Sequence, residues 1–182
     1  MIGELPKTLE VDGKEYEIRT DFRVALLIFQ ALNNPDLSDK EKALIYLKSL
    51  YKEVPPNLDE AFKKAGWFLD GGNIPKSKKA PKQLMDWEQD ESIMFPALNK
   101  VAGYETRSAE YLHWWSFLGL FNEVGEGLWS QVINIRSKKA KHKKLEKWEE
   151  EFYKDHREII DLKKKYTSDE LSEMERINKM LS

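Results

Sequence analysis

Apolar positions along the chain recur mostly at steps of three and four residues, the period of helices that bury one face. The strongest case is residues 110–121, EYLHWWSFLGLF. There Tyr111, Trp114, Trp115, Leu118 and Phe121 share a face, and His113, Phe117, Leu120 and Val124 form a second. Only Glu110, Ser116 and Glu123 make a hydrophilic strip. A helix apolar nearly all round is a buried one, so this stretch is expected to be the spine of the fold. It is too short to span a bilayer, which takes ~20 predominantly apolar residues. The indole N–H groups of Trp114 and Trp115 need acceptors once buried.

Other helices are predicted around it. One starts near Asp21 with Thr20 as its cap. Phe22, Ala25, Leu26, Phe29 and Leu32 line one face, and Val24, Leu27, Ile28 and Ala31 broaden it, so it too reads as buried. Pro35 ends it. Ser38 and Glu41 form a capping box before Ala43, Leu44, Leu47, Leu50 and Tyr51, and Pro55-Pro56 stops that helix. Asn57 starts the next, which turns Leu58, Ala61, Phe62, Ala65 and Leu69 inward and ends at Gly71-Gly72. Asp86 caps a further helix with Trp87, Met94, Leu98 and Val101 on one face, a kink expected at Pro96 and a stop at Gly103. Gly125 and Gly127 separate the Trp-Trp helix from one carrying Leu128, Val132 and Ile135. The one strand signal is LEVDGKEYEI at 9–18, where alternating residues flank Asp12-Gly13 as a hairpin. A lone hairpin is marginal, so it should pack on the helices.

Composition changes at Ser137. A lysine block is followed by dense mixed charge, through which Leu145, Trp148, Phe152, Ile159, Leu162 and Tyr166 keep three- and four-residue steps, with Asp155 in the missing position. A second capping box, Thr167 to Glu170, opens a final helix lined by Leu171, Met174, Ile177 and Leu181. The fold class expected is mainly α: a single helical domain with a short N-terminal β-hairpin and charged C-terminal helices. Residues 1–137 would be the helical core domain and 138–182 a charged C-terminal helical extension. The stretch 71–82, GGNIPKSKKAPK, reads as an exposed mobile loop.

Charge and chemistry narrow the function classes. The 30 basic and 32 acidic residues nearly cancel, which disfavours generic attraction to nucleic acid or anionic lipid. With no cysteine, disulfides, thiolate catalysis and cysteine-ligated zinc are excluded. The start of the chain has no signal-peptide pattern, and no apolar run suits a membrane anchor. His113, His142 and His156 are scattered. His113 is expected to be a hydrogen-bonded structural histidine and the other two to be solvated. Asp86, Glu88, Asp90 and Glu91 complement a helix start. No phosphate loop, dinucleotide turn or nucleophile elbow occurs. No catalytic, cofactor-binding or metal-ligating residue is assigned, and a noncatalytic protein is expected. The segment 136–147, with Arg136, Lys138, Lys139, Lys141, Lys143 and Lys144, could contact an acidic partner or nucleic-acid phosphates. A solvated joint between helices is the plainer account of it.

Three stretches together carry a family resemblance. They are Asp21-Phe22-Arg23 within EYEIRTDFRVALLIFQALNNPDLSDKEKALIYLKSLY, Tyr-Leu-His-Trp-Trp at 111–115 within WEQDESIMFPALNKVAGYETRSAEYLHWWSFLGLFNEV, and Ile-Arg-Ser-Lys-Lys at 135–139. In this order they resemble the bacteriophage gene-product-fifteen family of long-tailed phages and prophages of Gram-positive bacteria. The resemblance covers roughly residues 5–162. It implies a tail assembly chaperone that coats the helical tape-measure protein before the tail tube polymerises. It implies self-association along that client, the major tail protein as a further candidate partner, and no membrane. The place of action would be the host cytoplasm, with the protein absent from the mature virion. Trp148, Phe152, Ile159 and Leu162 are the surface expected to meet the client. The alternative is a nucleic-acid-associated phage structural adaptor using 136–147.

Overall fold

The computed structural model describes residues 3–73 and 82–181 of the chain. Among the described residues, nine α-helices accompany one two-stranded antiparallel sheet, so the chain is mainly α. Strands β1 (Thr8–Val11) and β2 (Lys14–Glu17) pair around Asp12 and Gly13, whose positive φ values suit a tight hairpin turn. Leu9, Val11 and Tyr16 are buried from this hairpin. The helices are α1 (Phe22–Leu32), α2 (Asp39–Leu50), α3 (Leu58–Leu69), α4 (Glu91–Ala102), α5 (Trp114–Asn122), α6 (Leu128–Ala140), α7 (Lys147–Asp155), α8 (Arg157–Ile160) and α9 (Ser168–Leu181). Most of the loop expected at 71–82 falls on residues 74–81, outside the described residues.

α5 lies at the centre. Trp114 and Phe117 are buried and stacked with centroids 5.5 Å apart, and Phe22 of α1 stacks on Phe117 at 4.7 Å. The two indoles find their acceptors at the end of α3: Trp114 Nε1 donates to the Leu69 carbonyl (2.9 Å) and Trp115 Nε1 to that of Phe68 (2.8 Å). These are last-turn carbonyls with no partner inside their own helix. Gly72, at φ 81°, lets the chain leave α3 beneath Trp115, where an added Cβ would meet the ring at 2.8 Å.

α5 begins later than its apolar period predicts. Backbone 112–114 is already engaged: Phe22 N donates to Leu112 O (2.9 Å) and Trp114 N to Thr20 O (2.7 Å). That pairing holds the segment extended, so His113 becomes the N-cap and Tyr111 stays outside the helix, more than half exposed. Asp21, rather than Thr20, caps α1 by accepting from Arg23 N at 3.0 Å. The Thr20 hydroxyl instead shares a hydrogen bond with that of Tyr111 (2.7 Å). α2 ends at Leu50, ahead of the two prolines, because Tyr51 turns extended and pairs with Ile18. α4 begins at Glu91, after a turn in which Asp86 accepts from the N–H groups of Glu88 and Gln89.

The division expected at 137/138 falls inside α6. Val132, Ile135 and Ile160 form a second buried cluster, closed by Leu145, Phe152, Tyr153 and Ile159. The change of composition at Ser137 therefore marks no gap in packing as far as Asp161. The stripe from Leu145 to Tyr166 is not one helix either, since α7 ends at Asp155 and the short α8 follows across His156.

Candidate functional site

The residues that carry the family resemblance are joints of the fold. Asp21 caps α1 and also accepts from Leu112 N at 3.2 Å. Arg23 binds Asp21 at 3.0 Å and donates to the Arg107 and Ala109 carbonyls. His113 is buried between two partners. Its Nδ1 accepts from Trp115 N (3.0 Å), so Nε2 carries the proton donated to the Pro6 carbonyl (3.0 Å). Burial holds its pKa below the ordinary value, in keeping with a neutral structural imidazole.

Arg136 is not available to an outside partner, which corrects its expected place in a solvent-facing basic segment. It is 5% exposed and grips Asp90 with both terminal nitrogens (2.6 and 2.7 Å). It also donates to the Leu84, Ile159 and Ile160 carbonyls. Lys138 donates to both oxygens of the fully buried Glu149 at 2.7 Å, pulling that carboxyl below the usual carboxylate range. Lys139 pairs with Asp161 (2.5 Å) and lies over the Tyr153 ring. Lys141, Lys143 and Lys144 remain exposed on the connection to α7. A sequence signal for Arg136 existed: it sits four residues after Val132 and beside Ile135, on the inward face of α6. A guanidinium there needs a buried carboxylate.

The four residues expected to meet a client do not form one free face. Phe152 and Ile159 close over the second cluster, Leu162 is half-buried, and Trp148 alone of the four is more than half exposed, at 54%.

An open apolar surface lies along α1. Leu27, taken from the sequence as part of a buried helix, is 59% exposed. It lies between two adjoining recesses. One, of about 740 Å3, is walled by Leu37, Ile45, Tyr166 and Leu171. The other, of about 540 Å3, is walled by Phe22, Leu26, Trp87 and Phe95. Leu27, Gln30 and Glu88 line both, so the two recesses adjoin along α1 and together are called the α1 groove. A polar rail crosses it: Gln30 donates to Glu88 (2.6 Å), and Lys165 reaches Glu88 (2.5 Å) and Asp86 (3.1 Å). Lys165 and Gln30 keep the Glu88 carboxyl below its usual range. A further recess of about 560 Å3 lies where α4 meets the α5–α6 turn, near Pro96, Val101 and Leu128.

Among the described residues, no group of three or more histidine or acidic side chains could hold a metal ion. No helix described is long and apolar enough to cross a membrane. The groove along α1 has apolar walls and fixed polar partners, and it is set on ion-paired scaffolding. A family model described as Bacteriophage Gp15 protein matches residues 1–166. The chain belongs to that family. Membership makes it a bacteriophage protein and points to a structural role. The match contains α1 through α8 and both recesses of the groove except Leu171, and it stops before α9. No curated protein and no solved structure matches the chain.

Proposed function

We propose that the chain is a noncatalytic tail assembly chaperone, which holds an amphipathic helix of the phage tape-measure protein in the groove along α1. The supporting observation is the exposed Leu27 between two apolar recesses, within the part of the chain that the family model matches. α1 has 11 residues, about 16 Å of helix at 1.5 Å per residue. That is room for two or three apolar anchors at i, i+3 or i+4, and i+7. The Gln30, Glu88 and Lys165 rail offers hydrogen-bonding partners to the polar flank of such a helix. One groove of this size binds weakly, but many copies along a long helical client bind with avidity. The basic segment supports a nucleic-acid role less, because Arg136, Lys138 and Lys139 are already engaged in ion pairs.

Coexpression with the tape-measure protein of the same phage tests this. The expected result is a soluble complex that Leu27→Glu with Ile45→Glu dissolves, while Leu128→Glu at the other recess leaves it intact. No complex, together with tight and salt-dependent DNA binding, would overturn it.

A further inference from the structure

α9 is the part of the chain that the fold leaves most open. All of its described side chains are exposed. Its root is pinned to the rim of the larger recess along α1. The Ser168 N–H and hydroxyl donate to Asp36 at 2.7 and 2.9 Å, and Asp36 stands between Pro35 and Leu37 of that recess. Thr167 and Glu170 cap one another. Leu171 then lines the recess itself. Met174 and Ile177 follow at steps of three, each of which lags a full turn by about 60°. The three side chains are 42–49% exposed. They make one apolar strip about 120° wide, which starts in the recess and runs about 9 Å outward along α9. A helix of this length is marginal in water unless such a strip is covered.

The strip has an acidic residue at each edge. Successive residues turn by about 100°, which sets Glu175 about 40° beyond Leu171 and Glu173 about 40° beyond Ile177. Arg176 and Lys179 stand further round, toward the back of the helix. Complementing the helix dipole explains Asp169 and Glu170 in the first turn, but not these two glutamates. The contact of Glu173 with Arg176 is exposed and 3.5 Å long, so it leaves Glu173 able to take another partner. Over α1, by contrast, the charges are already matched: Lys165 with Glu88 and Asp86, Arg23 with Asp21, and Arg107 with Glu105, while Lys164 lies over the Tyr166 ring.

We propose that α9 prolongs the α1 groove, and that the client helix running from one to the other carries basic side chains on both flanks. This rests on the groove reading above. Leu171 belongs to both walls, so a helix seated on Leu27 and Leu171 reaches Met174 and Ile177 without crossing a polar gap. With lysine or arginine on either side of its apolar face, it meets Glu173 and Glu175 with opposite charge. An equally apolar helix with acidic flanks sets like charges against both. The groove thus supplies the anchors and α9 the selection.

Fluorescence anisotropy with the full chain is the test, using two helical peptides that share a leucine face, one with lysine flanks and one with glutamate flanks. The lysine peptide should bind about fivefold to tenfold more tightly, the worth of a few exposed ion pairs. Glu173→Lys with Glu175→Lys should reverse that preference at unchanged helix content. Met174→Gln with Ile177→Gln should weaken both peptides, and so should Leu27→Ser with Ile45→Ser, which adds no charge to the groove. Equal binding of the two peptides, or a preference that the charge reversal leaves unchanged, would overturn the inference; if the Leu27 and Ile45 variant still weakens both, the groove reading stands. Binding that the α9 variants remove and the Leu27 and Ile45 variant leaves intact would overturn both, because the site would then be α9 alone. Binding of neither peptide would overturn the inference as well, leaving coexpression to judge the groove.

Discussion

The two buried clusters are built on different principles. The larger is aromatic: Phe22, Phe68, Trp87, Trp114 and Phe117 meet around α5, and its indole and imidazole N–H groups are met by neutral backbone carbonyls. The smaller, around Val132, Ile135 and Ile160, has little apolar area. The segment 145–161 is held to it by Arg136, which donates to the Ile159 and Ile160 carbonyls while paired with Asp90 at the start of α4, by Lys138 with Glu149 and by Lys139 with Asp161. Hydrophobic burial is non-directional and tolerates exchange between shapes of similar volume. Buried ion pairs are directional and costly to leave half-made. The chain thus combines a general core with a specific clasp.

The sharpest test of that contrast is a pair of truncations. Trp114→Ala and Asp90→Ala should each cost about 3–5 kcal/mol in urea unfolding, the first by cavity formation and the second by stranding a buried guanidinium. Only the second should be rescued. Adding Arg136→Met to Asp90→Ala should return part of the loss, because it removes the stranded charge, while the Leu84, Ile159 and Ile160 carbonyls lose their donor. If the double variant is as unstable as Asp90→Ala, the loss comes from the missing contacts and not from a stranded guanidinium.

Gly72→Ala comes next. Its backbone at φ 81° and the 2.8 Å approach to Trp115 should together cost about 1–3 kcal/mol, read as a lowered urea midpoint. A smaller effect follows from His113. Burial lowers its native pKa, so the unfolded chain binds the proton first, near the ordinary value of 6.5. Its contribution is complete above that pH and is lost as pH falls below it toward the native pKa. Protonation also removes the Nδ1 acceptor of Trp115 N–H. Thermal unfolding between pH 7 and 5.5 should show a decline that His113→Gln flattens. The smallest effect is expected at Trp148→Ala, which should move stability by no more than about 0.5 kcal/mol, as exposed substitutions do.

What was legible in the sequence was local. The hairpin at Asp12-Gly13 and the caps at Ser38, Asn57 and Thr167 stand where residue chemistry places them. Cross-chain competition was not legible. The start of α5 was set by backbone pairing with residues 20–22, and such pairing leaves no periodic trace. The groove was hidden because α1 is apolar almost all round. Its sequence shows that a wide face exists, and only the positions of α2 and α4 decide that Leu27 stays open. The clasp was hidden by composition, since Arg136, Lys138 and Lys139 read as part of a solvated run until their carboxylates are located in space.

The central proposal is that this chain takes a client helix in the α1 groove. Hydroxyl-radical footprinting of the chain alone and in complex with the tape-measure protein tests it most directly. The account predicts protection of Leu26, Leu27 and Tyr166, with Trp148 unchanged. Protection confined to Trp148 and the neighbouring 141–144 segment, with α1 unaffected, would contradict it.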